Sequence, residues 1–235
     1  IRLLTDISAS VEIPSGKGTN FTLDLNGRTL ECGNQAAILH NGIGTLTIDD
    51  SSTGGKIKRS NNMSAYGTIM LNGGSLKLIR GTIEAAPAYN SAAICNNGIG
   101  SVTVIGGTVS SMPEAGNAIY NTNLGAVNVS GGTVKADSRD GRAIDNQGMG
   151  IVFLSGGTIS AAGVNGIAVY NYGSGIIDIS GSCTLNANGE NGKAIWNLGT
   201  GMVNISNGTL TATGNLGIVV HNSGTGSVSI TGGTI

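Results

Sequence analysis

The chain has 235 residues, of which 11 % are charged, and a formal net charge of −1. An average globular chain is about a quarter charged, so nothing here points to broad electrostatic attraction for nucleic acid or an anionic membrane. There is no run of 18 apolar residues to insert into a bilayer, and three prolines with regular Val/Ile/Leu alternation argue against disorder despite 41 glycines.

Residues 1–20 hold two short apolar segments, Ile1-Arg2-Leu3-Leu4 and Val11-Glu12-Ile13, expected to form a first, capping turn. Residues 21–30 and 45–57 then alternate apolar and polar side chains between Gly- and Asn-containing turns, the pattern of short β-strands. From residue 82 a clock is visible: Thr82, Thr108, Thr133, Thr158, Thr184, Thr209 and Thr234 lie 25 or 26 residues apart. Around them Ser-Gly-Gly-Thr-Ile or a close variant recurs, as at 130–134, 155–159 and 231–235. A fixed period of this size is the signature of a solenoid, in which each repeat buries its face only against its neighbours.

Aligned copies read Ala-Ile-x-Asn-x-Gly-x-Gly-x-Val-x-Ile-Ser-Gly-Gly-Thr-Ile-x-Ala, followed by a variable loop. Three strands per coil are legible: Ala-Ile-x, Val-x-Ile and Thr-Ile-x-Ala. The expected fold is therefore all-β, a right-handed single-stranded parallel β-helix spanning 1–235 in about eight or nine coils of roughly 25 residues. At about 4.8 Å per rung it forms a rod roughly 40 Å long. Ile119/Ile144/Ile195, Val102/Val127/Val152 and Val109/Val134/Ile159 are expected to line its interior. Asn96, Asn121, Asn146, Asn171, Asn197 and Asn222 recur at one position and read as a structural ladder of turn amides. Cys32, Cys95 and Cys183 fall more than two coils apart, beyond disulfide reach, so their thiols are expected to be free. A start at Ile1 and a stop inside a repeat read as a piece excised from a longer protein.

Leu23-Asp24-Leu25-Asn26-Gly27-Arg28-Thr29-Leu30, Leu46-Thr47-Ile48-Asp49-Asp50-Ser51 and the Gly-Gly-Thr-Ile repeats resemble the β-helix regions of large bacterial cell-surface, adhesin-like proteins, within the broad pectin-lyase-like fold class. The resemblance covers essentially the whole chain. It implies a secreted, cell-surface location and a non-catalytic role, as an adhesin-like binding segment or a rigid stalk. Its partners would be a glycan or a host or bacterial surface, besides further domains of the same chain. No cofactor and no metal are implied.

The fold class also raises a polysaccharide lyase or hydrolase as an alternative. Polygalacturonase-like members carry Asn-Thr-Asp, Asp-Asp, Gly-His-Gly and Arg-Ile-Lys. Here the first is Asn121-Thr122-Asn123, Gly-His-Gly is missing, and Lys56-Ile57-Lys58 stands on the wrong side of the order. Asp49-Asp50 sits at a turn, and the cluster Asp137, Arg139, Asp140 and Arg142 reads as a self-neutralising loop. No catalytic residue is assigned.

Binding residues are sought in an outward column of the first strand: Leu39, Met70, Cys95, Tyr120, Asp145, Tyr170, Trp196 and His221. Alternation places Ala93, Ala118, Ala143, Ala168 and Ala194 beside it on the same face, leaving the ring faces open. Tyr120, Tyr170, Trp196, His221 and Asp145 are the candidate ligand contacts. Stacking of aromatics on a sheet surface is the plainer reading of the same column. A threonine rank on a flat face suggests ice binding as a lesser alternative, although the adjoining column carries charge, with Lys58 between Glu31 and Glu84. The loops after the third strand vary most between repeats, as binding edges of solenoids often do.

Overall fold

The structure is a computed structural model that describes residues 1–16, 18–33, 35–60 and 67–235. Each strand pairs in parallel with its counterpart one coil away, as Ile119 does with Ile144 and Val102 with Val127. The chain is an all-β, right-handed parallel solenoid of about nine turns.

Among the described residues, the first strands, from Val11–Ile13 to Ile218–Asn222, form a nine-stranded sheet. Second and third strands form columns of a sixteen-stranded sheet, because in two coils they run together as Val127–Ala136 and Val152–Ser160. The Ser-Gly-Gly between them is where the register shifts. Glycine is required there: Gly132 and Gly157 have φ of 70° and 78°, the left-handed region that β-carbons disfavour. A Cβ on Gly131 would lie 2.4 Å from the Ile105 carbonyl oxygen of the preceding coil.

The expected interior columns are in the core. Ile119, Ile144, Ile195, Val102, Val127, Val152, Val109, Val134 and Ile159 are all fully buried. Each coil thus closes three apolar side-chain stacks, and the three cysteines are buried and free. Residues near the N-terminus pair as a rung, Ile7 with Leu30 and Val11 with Ile38. They leave an apolar hollow of about 330 Å³ at that end, between Ile1, Leu3, Phe21 and Leu46.

Strict alternation fails in the first strand. Pairing runs Asn117↔Arg142 and then Ile119↔Ile144, passing over the alanine between. Ala118 and Ile119 are both fully buried members of the apolar core, as are Ala143 and Ile144. The expected flanking alanines therefore face inward, and the outer face is shared by positions three apart. Arg142 and Asp145 show this by touching at 2.6 Å, which an ideal strand, sending them to opposite faces, would forbid.

The loops after the third strand vary in sequence but not in backbone. Asn90, Ala115, Asp140, Asn165, Asn191 and Leu216 all have φ between 52° and 58°. Gly116, Gly141, Gly166, Gly192 and Gly217 then donate to the carbonyl three residues back. Asn90 N donates to Glu114 O of the next coil, Ala115 N to Arg139 O, and Asp140 N to Val164 O. From Asn90 to Leu216 the loop is one turn repeated on six successive rungs, not an irregular edge.

Candidate functional site

Asn96, Asn121, Asn146, Asn171 and Asn197 are fully buried, and each Nδ2 donates twice. One hydrogen goes to the glycine carbonyl four residues on, as from Asn146 to Gly150 at 2.9 Å. The other goes to the Oδ1 of the next asparagine, at 2.7 to 2.9 Å from Asn121 to Asn197. Asn96 starts the chain with its Oδ1 unpartnered, because the rung before carries Leu71. Two rungs before Asn96, His40 imitates the amide, its Nε2 lying 2.9 Å from Gly44 O.

The aromatic column sits on the outer face of the same sheet but is closed on itself. Asp145 is 1 % exposed and Tyr170 only 5 %. Arg142 explains both: its guanidinium holds Asp145 at 2.6 Å and lies 4.1 Å over the Tyr170 ring. Gln147 Nε2 donates to the other Asp145 oxygen at 2.6 Å. Burial still outweighs these contacts and raises the Asp145 pKa. Burial likewise raises the Tyr170 pKa, and that of Tyr120 together with the nearby Asp145 charge. Trp196 meets Tyr170 edge-on at 5.3 Å, stacks on His221 at 5.5 Å and lies 5.0 Å from the Lys193 ammonium. Its indole N–H donates to Ser223 Oγ at 2.9 Å. The five candidate contacts are thus neighbours, yet the Tyr170 ring is covered by Arg142 and Trp196, while Tyr120, Trp196 and His221 are half-buried. Cys95, in the same column, is buried and its thiol is pushed up to about 11.

The charged groups named from the sequence are committed elsewhere. Asp24 accepts from the Asn26 and Ser51 backbone and from Ser51 Oγ, which lowers its pKa. Arg80 holds Asp49 in a two-point contact at 2.7 and 3.0 Å and lowers its pKa. Asp50 accepts from Gly27 N and Gly55 N. The cluster neutralises itself in part: Arg139 pairs with Asp140 inside the loop and with Glu114 one coil away, while Asp137 pairs with Lys135 and Arg142 with Asp145. Lys58 pairs with Glu31 at 3.1 Å, while Glu84 pairs with Lys56 at 2.8 Å rather than with Lys58.

Beside the column lies a feature the outward-position argument missed. The turn joining first and second strands forms a shallow hollow of about 680 Å³ across three coils, starting at Tyr172. Tyr172 is 56 % exposed and its ring leans on Tyr170, centroids 6.4 Å apart. Its signal in the sequence is a second tyrosine two residues after the first, on the turn rather than the strand.

No protein-family model matches the chain, and neither a curated protein nor a solved structure matches it.

Proposed function

We propose that this chain is a rigid, non-catalytic stalk segment of a secreted bacterial surface protein, holding its other parts at a fixed distance. The carrying observation is the unbroken asparagine ladder, which ties six successive coils along the axis in addition to the backbone pairing. Buried amide chains of this kind polarise one another and are costly to open. The resemblance of the Leu-x-Leu-Asn-Gly and Gly-Gly-Thr-Ile segments to adhesin-like β-helices supports the surface location.

The adhesin-like reading, a segment that itself binds a glycan or host surface, is favoured by the exposed Tyr172 and the hollow beside it. The polysaccharide-cleaving alternative has less support, since Asp24, Asp49 and Asp50 serve turns and Asp145 is buried against Arg142. The test is location and reach. Antibodies raised against the chain are expected to label intact cells that make it, and brief protease treatment of those cells to remove the label. Detection only after lysis would end the surface-stalk reading.

A further inference from the structure

The hollow at Tyr172 is a built trough, and its chemistry points to one class of ligand. Its floor is Gly173, Gly199 and Gly224. A Cβ on any of these would lie 2.0, 1.9 or 2.0 Å from a carbonyl oxygen of the coil before, so close stacking of the coils keeps the floor bare. One wall begins with the Tyr172 ring and ends at Ser223, whose hydroxyl is fixed by the Trp196 indole. The other wall presents one exposed hydroxyl per coil, from Ser174, Thr200 and Thr225. At the preceding coil the same wall position is Met149, so the hydroxyl row starts at Ser174.

We propose that this trough binds a neutral oligosaccharide lying along the solenoid axis. Hydroxyls repeated every rung, at about 4.8 Å, match the advance of one pyranose ring in an extended chain, and a hydroxyl can both donate to and accept from a sugar. An exposed aromatic face at one end stacks on the C–H face of a ring, as amphipathic aromatics do at interfaces. Among the described residues that line the trough there is no Asp, Glu, Lys, Arg or His, so an acidic sugar finds no counter-charge. A peptide strand finds no free edge either. The backbone N–H groups of Gly173, Leu198, Gly199, Ser223 and Gly224 already donate to Asn146, Asn171 and Asn197 of the preceding coils. This binding role is independent of the stalk role, which survives if the trough proves empty.

The test titrates the 235-residue chain with cellohexaose, chitohexaose and hexagalacturonate, read by heat and by fluorescence of Trp196, the one tryptophan. A neutral hexasaccharide is expected to bind and perturb the tryptophan, with hexagalacturonate at least about ten-fold weaker. Tyr172→Ala should weaken binding about ten-fold at an unchanged melting temperature, and Tyr89→Ala, an exposed tyrosine outside the trough, should not. Should Tyr172→Ala disturb folding, the near-isosteric Thr200→Val carries the test and should also weaken binding. No binding of either neutral sugar, equal binding of the acidic one, or affinity indifferent to both variants overturns the proposal.

Discussion

A buried asparagine in the ladder serves three partners at once, so its removal propagates. Asn146 accepts from Asn121 and donates to Gly150 and Asn171. Asn146→Ala leaves each of those groups buried and short of a bond, at about 1–3 kcal/mol apiece. A loss of about 3–5 kcal/mol in urea unfolding is expected, and a loss below about 1 kcal/mol would show that the ladder is ornamental. Leu71 makes the opposite point. Its turn is one residue shorter than the others, with Gly74 stacked on Gly44, and its apolar side chain supplies no donor, which leaves Asn96 Oδ1 unpartnered. Asp145 allows a pH test. Its folded pKa is raised, so the native state holds the proton more tightly than the unfolded chain. The stability tied to that proton is full below the ordinary carboxylate pKa of about 3.9 and is lost as pH rises through the raised value. Above pH 4, Asp145→Asn should therefore gain stability relative to the native chain as pH rises. Denaturant midpoints measured at steps from pH 3 to 7 would show it, and a constant difference would refute it.

At the level of strands and turns, the repeated loop carries local strain where its left-handed position is not Asn, Asp or Gly. Leu216, 71 % exposed, adopts φ 58°, a conformation that costs an ordinary residue roughly 1–2 kcal/mol. Leu216→Asn is expected to stabilise by about 0.5–1 kcal/mol, read as a higher urea midpoint with unchanged slope. Gly131→Ala tests the bend between second and third strands from the other side. With its Cβ 2.4 Å from Ile105 O, two coils would have to separate, and a loss of about 3 kcal/mol or more is expected. How far the sequence foretold these elements differs between them. The Ser-Gly-Gly-Thr phrase is legible because the same steric demand returns on each rung. The loops looked irregular because a left-handed turn accepts Asn, Asp, Ala or Leu at one position, so backbone likeness leaves little trace in side chains.

Across the whole molecule, stability should follow the sum of coils and coil–coil interfaces that a one-dimensional stack implies. Deleting residues 143–167 joins Arg142, which is in register with Ile167, to Ala168, so Ala168 takes the place of Ala143 and Asn171 stacks next to Asn121. The shortened chain should fold, lose about 4.8 Å of length by small-angle scattering and unfold at lower denaturant. Failure to fold would contradict nearest-neighbour additivity. The spacing of the threonines by itself determined the parallel stack, the three interior columns and the asparagine row, since each follows from a period and a two-residue alternation. Only the tertiary structure decided that Ala118 and Ile119 both turn inward, that Arg142 thereby reaches Asp145 and covers Tyr170, and that Tyr172 rather than Tyr170 meets solvent. The physical reason is that a break in the alternation, repeated at the same position on successive coils without a change of register, sets which side chains share a face, and the contacts on that face are made between coils rather than within one repeat.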